Sequence, residues 1–566
     1  MKKRFDKAPF FLSKEDIDQV DSLVSKMNVD EKIGQLFCLV TYAPKEDEIK
    51  ETLDKVKPGA IMFRPMAIKD AIRTRDLIYK YSKIPMLIAA NIEAGGNGIV
   101  TEGTKVGCEM QIAATSNPEY AYQMGVIAGK EAREVGCNWA FGPIADIDLN
   151  FRNPITNTRT FGSNPKTVAA MSEAYIKGVQ DQGLAATFKH FPGDGVDERD
   201  QHLVTSVNDF SFSKWSKTYG MVYKRCIKAG ALTCMVGHIV LPRFMHKYYP
   251  DIKDEDMLPA SLSKILIGDL LKKRLGFNGL VVTDASTMAG MCSAMSREKL
   301  VPTAIAAGAD MFLFTRNLYE DLGFMKEGVK SGIISSQRLD EAVKTIVALK
   351  VKLGLFKKSN PYTYDKAKKT IGCNENLAVA EEVADKSITL VKNNRPGVLP
   401  ISPKKYPRVL LYSLESQQGF AYTVRKGAIE SFQKMLETEG FKVTKFNNNM
   451  GYEGRLLPES YFKDNFDLII YVANIGTRSN QTTVRIEWAM PMGINVPIMY
   501  KVIPTIFISI ENPYHLLDVP RIPTFINTYS ATDTTLKALV EKLMGRSEFA
   551  GHSPSDPFCG KWDTHL

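Results

Sequence analysis

The fourteen residues 189–202, KHFPGDGVDERDQH, hold one lysine, two histidines and four acids around two glycines and a proline. They come directly after an apolar, strand-like run, residues 184–188. Charged groups are costly to bury unless paired, so this density of titratable side chains at the end of a strand fits the rim of an active site better than scaffold. Within it, Asp200 and His202 are spaced so that the carboxylate can orient the imidazole and favour its charged form. Histidine titrates near neutral pH, so such a pair suits delivery of a proton to a leaving group; an ordinary surface ion pair is the plainer alternative.

A second candidate stands at Asp284, which closes the nearly uncharged run GLVVTDAS (279–286). A carboxylate there can serve as nucleophile, general base or metal ligand. Metal binding calls for several convergent acids or histidines at recognisable spacing, and no such set is visible. Strand alternation would point only one of Lys189 and His190 inward, but at the end of a strand both can reach the mouth. Arg159, in the polar loop NPITNTRTFG (153–162), offers a rigid fork for hydroxyls or a carbonyl. The glycine-rich GGNG (95–98) lacks the lysine of a phosphate-binding loop and reads as a tight turn.

These residues need a frame. Short apolar runs occur at IGQLFCLV (33–40), GAIMFR (59–64), PMLIAANIE (85–93) and CNWAFGPIAD (137–146). Four more occur at LAATFKH (184–190), LTCMVGHIVL (232–241), GLVVTDAS (279–286) and DMFLFT (310–315). Helical patterns lie between them, at 69–81, 118–135, 165–182 and 262–275. Eight strands alternating with helices predict an N-terminal (β/α)8 TIM-type barrel. Such a barrel should carry its chemistry at the C-terminal ends of the strands. Asn91 and Glu93, Asp146, Lys189 and His190, His238 and Asp284 all stand there.

The pattern breaks in the lysine-rich segment beyond residue 350, where Pro361 and polar turns predict an exposed connection. A helix at 377–387 then leads to strand candidates ITLVKN, RVLLYS, DLIIYVAN and TIFISI, with helices at 425–439 and 534–545. The expected organisation is a catalytic barrel over 1–355, a linker over 356–374, an α/β sandwich over 375–548 and a tail over 549–566. The polar loop GTRSNQTTVR (476–485) is either an ordinary solvated loop or a cover over the barrel mouth.

Composition bounds the rest. At 566 residues the chain exceeds one core. No uninterrupted apolar run approaches the length of a membrane span, and the basic N-terminus lacks the apolar segment of a signal peptide. Eight scattered cysteines without a CxxC pair read as reduced, buried thiols, so the expected location is cytoplasmic. The net charge of +10 is dispersed, which argues against nucleic acid as a partner. Neither a membrane nor a cofactor is expected, and the oligomeric state stays open.

Taken together, the motifs resemble glycoside hydrolase family 3, in particular its β-N-acetylglucosaminidase branch. The resemblance rests on EKIGQLF at Glu31, FGPIADID at Phe141, KHFPGDGVDERDQH at Lys189 and GFNGLVVTDASTM at Gly276. ADKSITLVKNNRPGVLPI at Ala384 is similar to the start of the family's second domain. The resemblance implies a retaining glycosidase with Asp284 as nucleophile, His202 as acid/base and Asp200 orienting His202. It also implies sugar contacts from Lys189, His190 and Arg159, with Asn91 a further candidate and Met288 lining the pocket. The implied partner is a carbohydrate with terminal β-linked N-acetylglucosamine. Alternatives are a phosphorylase of the same glycosides, a β-glucosidase and a carbohydrate-binding protein without catalysis. The chain departs from the family pattern at Asp194, where KHFPGHG is usual, and at Asn91, where an aspartate is common. Ala94 reads as an insertion, and the arginine that often comes after EGG is missing.

Overall fold

The structure is a computed structural model and describes residues 4–41, 44–357, 362–415, 426–447, 458–480, 485–490 and 493–566. Its contacts divide into two compact units. The first comprises Met1–Lys105, Ala121–Ile147 and Pro165–Leu377; the second comprises Val106–Tyr120, Asp148–Asn164 and Ala378–Leu566.

The first unit is the expected barrel. Strands β1 (Phe37–Thr41), β2 (Ala60–Phe63), β3 (Leu87–Ala90), β4 (Trp139–Ala140) and β5 (Ala185–Phe191) succeed one another in chain order. After a short β6 (Ser206–Val207) come β7 (Thr233–Val236), β8 (Ile239–Val240), β9 (Leu280–Thr283) and β10 (Phe312–Leu313). The eight-stranded parallel sheet runs β10-β1-β2-β3-β4-β5-β7-β9, and a bridge between Val282 and Met311 brings its two ends together. The strands are apolar along almost their whole length because helices and barrel interior cover both faces. The few polar groups inside are paired. Trp139 Nε1 donates to the hydroxyls of Thr187 and Thr233, each at 2.9 Å, bracing β4, β5 and β7.

The helices lie close to their expected bounds, at Ile68–Tyr81, Pro118–Glu134 and Pro165–Asp181. The segment expected as an α-helix over 262–275 instead forms π-type turns at Ile265–Arg274. Asn317 caps the helix Leu318–Lys330 and Ser335 caps Ser336–Lys352, each side chain accepting a backbone N–H of the first turn. LTCMVGHIVL, read as one strand, is two. The chain turns at Gly237, whose N–H bonds to Phe191 at 2.8 Å, and β8 then pairs with β6 in a separate two-stranded sheet. Of the segment expected as a linker, residues 358–361 lie outside the described residues and Tyr364–Thr370 is helical.

In the second unit a six-stranded sheet is ordered β11-β16-β15-β14-β12-β13. It is built from β11 (Thr389–Asn393), β12 (Arg408–Glu415), β13 (Lys442–Lys445), β14 (Leu468–Asn474), β15 (Thr505–Ser509) and β16 (Thr524–Asn527). Only the β11–β16 pair is antiparallel. Alternate residues of β14 feed two separate cores: Leu468, Ile470 and Val472 on one face, Ile469, Tyr471 and Ala473 on the other. The helices Ala428–Thr438 and Asp533–Leu543 cover the first face. On the second, Tyr412, Tyr471, Phe507 and Phe525 stack across four strands. This is the expected α/β sandwich. The loop over 476–485 includes residues 481–484, which lie outside the described residues.

Candidate active site

Asp284 is the first residue past β9, and its N–H still bonds to Val236 at 2.8 Å, so the sheet fixes where its side chain starts. One carboxylate oxygen accepts the N–H of Ala285 at 2.7 Å; the other lies 3.7 Å from Nε2 of His190. Burial works against ionisation here, but the imidazoles of His190, His238 and His202 outweigh it and hold the carboxyl at about 2. His238 is fully buried, and burial, opposed by Asp284, keeps its imidazole below the ordinary range. Its Nε2 lies 3.0 Å from the Ala285 carbonyl, which only accepts, so Nε2 carries the proton. Its Nδ1 then accepts from the Ser261 hydroxyl at 2.8 Å. His238 thus pins the peptide next to the carboxylate.

Lys189 and His190 both reach the mouth because the pairing of β5 with β7 shifts register between Phe188 and Phe191, which breaks strict alternation. Lys189 is almost fully buried, with Nζ 2.5 Å from Glu93, 2.6 Å from the Phe141 carbonyl and 3.5 Å from Asn91. His190 Nδ1 donates to Asp146 at 2.7 Å, and the His190 N–H bonds to the other oxygen of Asp146 at 3.1 Å. That second oxygen also accepts the Asp194 N–H at 2.8 Å. One buried carboxylate therefore sets the imidazole facing Asp284 and fixes the start of the next loop.

The Asp200 side chain is fully buried, whereas that of His202 is 30 % exposed. The same Asp200 oxygen accepts from His202 Nδ1 and from the His202 N–H, both at 2.8 Å. With Nδ1 donating to a carboxylate, Nε2 is left to take up or release a proton. The His202 carbonyl accepts the N–H of Ala289 at 3.0 Å, joining this loop to the one after Asp284. Met288 is buried at the head of the short helix Ala289–Cys292.

Tight turns hold the loop. Gly193 has φ +117°, and a Cβ added there would lie 2.2 Å from a ring carbon of Tyr219. The Tyr219 hydroxyl in turn bonds to the Asp194 carbonyl at 2.6 Å. Gly193→Ala is expected to cost roughly 2–4 kcal/mol, read as a lower unfolding midpoint of the barrel.

The structure brings Asn91, Lys189, His190, Asp200, His202, Asp284 and Met288 into the first unit. Arg159 belongs to the second, at the end of the helical turn Asn157–Arg159. The buried Asp148 holds that turn through Thr156 Oγ1 at 2.7 Å and the Asn157 N–H at 3.1 Å. Sequence reasoning gave Glu93, Asp146 and His238 a place at strand ends but no partners, and gave Gln201 nothing. Among the described residues, no three His, Cys, Asp or Glu side chains are grouped to hold a metal ion.

A family model described as the glycosyl hydrolase family 3 N terminal domain matches residues 28–349. A Cellulomonas fimi protein named beta-N-acetylglucosaminidase/beta-glucosidase is 49% identical over 560 residues, covering 99% of each chain. A solved structure titled beta-glucoside phosphorylase BglX superposes with a TM-score of 0.91 at 40% identity, over 99% of each chain. A family 3 β-N-acetylglucosaminidase from Paenibacillus sp. str. FPU-7 superposes with a TM-score of 0.80 over 94% of this chain and all of its own. At 23% identity, that likeness is one of fold.

Proposed function

Because this chain belongs to glycosyl hydrolase family 3, we propose that it is a retaining exo-glycosidase that releases terminal β-linked N-acetylglucosamine. The observation that carries this reading is a pair of devices in the barrel unit, close enough for the imidazole of one to act on the carboxylate of the other. One is a carboxylate kept ionised beneath imidazoles; the other is a carboxylate–histidine dyad with its outer nitrogen open. In the first step an Asp284 oxygen bonds to the anomeric carbon as the bond to the aglycone oxygen breaks. The His202 Nε2 proton passes to that oxygen, and Asp200 compensates the imidazolium that gave it. In the second step water attacks the glycosyl-aspartate ester and His202 takes its proton, restoring Asp284. Lys189, His190 and Asn91 bind sugar hydroxyls, and Met288 lines the pocket. No cofactor enters either step. A cytoplasmic location, expected from the cysteine pattern, belongs to the same proposal.

Two observations favour a second reading, phosphorolysis of a β-glucoside. The similar solved structure carries a phosphorylase title, and the Cellulomonas relative is named for both sugars. A histidine acid/base also spares an incoming phosphate the repulsion of a carboxylate at that position. The test is p-nitrophenol release from paired β-N-acetylglucosaminide and β-glucoside substrates, with and without phosphate, and analysis of the sugar product. Preference for the N-acetyl sugar with free sugar as product supports the hydrolase. Phosphate stimulation with sugar 1-phosphate as product moves the assignment to the phosphorylase. Preference for the glucoside keeps the nucleophile and sinks the substrate.

A further inference from the structure

Asp194 stands where the resemblance leads one to expect histidine, and it is buried, 1% exposed. One of its carboxylate oxygens accepts the N–H of Gly195 at 2.7 Å; the other accepts Nε2 of Gln201 at 2.9 Å. Gln201, itself 1% exposed, uses its amide oxygen to accept the backbone N–H of His238 at 2.9 Å. That backbone donor fixes the polarity of the chain of bonds. Its partner on Gln201 must be the oxygen, so the amide nitrogen must face Asp194, and Asp194 must accept. A carboxylate meets this requirement at both oxygens. Gln201 lies between Asp200 and His202 in sequence, and its carbonyl oxygen would lie 2.4 Å from a Cβ added at Gly290, so backbone packs there as well.

We propose that Asp194 and Gln201 form a clamp that holds the acid/base loop in its working position against the loop of His238. Both are positioning residues: neither touches the reacting atoms, and both act through His202. The inference rests on the reading of His202 as the general acid. The clamp ties the loop that carries His202 to the same peptide stretch, around residues 237–238, whose imidazole pins Ala285 beside Asp284. The proton donor and the nucleophile are thereby referenced to one piece of backbone. Displacement of about 1 Å at such a donor is enough to cost roughly 10²-fold in rate.

The test is a leaving-group series. Aryl glycosides of the sugar the wild type turns over best, from dinitrophenyl to unsubstituted phenyl, report how much acid assistance each variant still gives. In Asp194→Asn the new amide nitrogen faces the Gln201 amide nitrogen, donor against donor. The expected result is a loss of about 10–10²-fold in kcat/KM with the phenyl leaving group and less than about 3-fold with dinitrophenyl. The double variant Asp194→Asn/Gln201→Glu reverses the polarity and keeps the bonds named above, since the new carboxylate accepts from both His238 N–H and the new amide. It is expected to recover most of the lost phenyl rate, a non-additivity that general weakening of the fold would not produce. A loss in Asp194→Asn that is uniform across leaving groups, or no rescue in the double variant, overturns the clamp. His202→Ala run on the same series separates the two levels. A steep leaving-group dependence there, with none in Asp194→Asn, overturns the clamp alone. No leaving-group dependence in His202→Ala overturns the acid/base reading and the clamp with it.

Discussion

Asp284→Asn is expected, on the proposed role of Asp284 as nucleophile, to lower kcat on an aryl glycoside by roughly 10⁴–10⁶-fold, because an amide does not form the ester to the anomeric carbon. Asparagine keeps the size of the side chain and the contact with the Ala285 N–H, so the loss reads as chemistry and not as collapse of the loop. Single-turnover assays with the best leaving group check it. In the wild type a 2-deoxy-2-fluoro glycoside should place its sugar mass on the peptide that contains Asp284, and the variant should stay unlabelled. Retention of more than about 1% of the wild-type rate, or labelling elsewhere, would remove Asp284 as nucleophile. The same carboxylate has a pH signature. Its folded value, about 2, lies below the ordinary 3.8, so the folded state binds fewer protons than the unfolded state between these values. Stability from this group is complete above the ordinary value and is lost as pH falls towards the folded one. The sum is about 2 kcal/mol. Denaturant midpoints of Asp284→Asn should therefore fall less steeply than those of the wild type between about pH 4 and pH 2.

Lys189→Met is the second substitution with a large expected effect, and it acts on stability and binding together. It removes the Lys189 ammonium from the Glu93 carboxylate and from the Phe141 carbonyl. Glu93 is partly exposed, so breaking this part-buried pair from one side is expected to cost about 1–3 kcal/mol, seen as an earlier unfolding transition of the barrel. On the reading of Lys189 as a sugar contact, kcat/KM falls by a further 10–10²-fold or so, the worth of a charge-assisted hydrogen bond. Lys189→Met/Glu93→Leu separates the two effects. Replacing both partners by apolar groups is expected to restore much of the stability and none of the activity. Activity that returned with stability would show that Lys189 is structural alone.

Much of the frame was legible because the apolar strands of a parallel barrel contrast with the polar residues at their C-terminal ends. GLVVT before Asp284 and AATF before Lys189 are uncharged runs that end abruptly in charge; β9 ends directly before Asp284, whereas β5 continues through Lys189 and His190 to Phe191. The strands that escaped notice are those whose contrast is weak, the two-residue β6 among them. β13 is KVTK, half-exposed and lysine-bounded, and β16 is four residues, TFIN, too short for periodicity to register. Reading LTCMVGHIVL as one strand failed because hydropathy does not record that the Gly237 N–H bonds to Phe191. In the candidate site, the pairing of Asp200 with His202 was readable from their spacing, and the structure has it at 2.8 Å. The partners of Glu93, Asp146 and His238 were not, since each bonds to a residue on another strand or loop. Gln201 was invisible for a deeper reason. An uncharged amide between two titratable residues gains meaning only once the direction of each hydrogen bond is known.

Asp146 has a consequence for how such a chain can change. One of its oxygens accepts two backbone N–H groups, that of His190, whose ring faces Asp284, and that of Asp194, which opens the loop of His202. On the proposed roles, the groove that selects the sugar and the loop that serves the leaving group hang from one joint. A lineage adapting to a new sugar by moving His190 disturbs proton delivery in the same step, and a change in the loop is felt at the sugar. Substitutions on the two sides should then be strongly epistatic, tolerated as blocks and penalised when exchanged singly. Transplanting specificity into this barrel would mean moving the FGPIAD and KHFPGDG segments together, as one inherited unit.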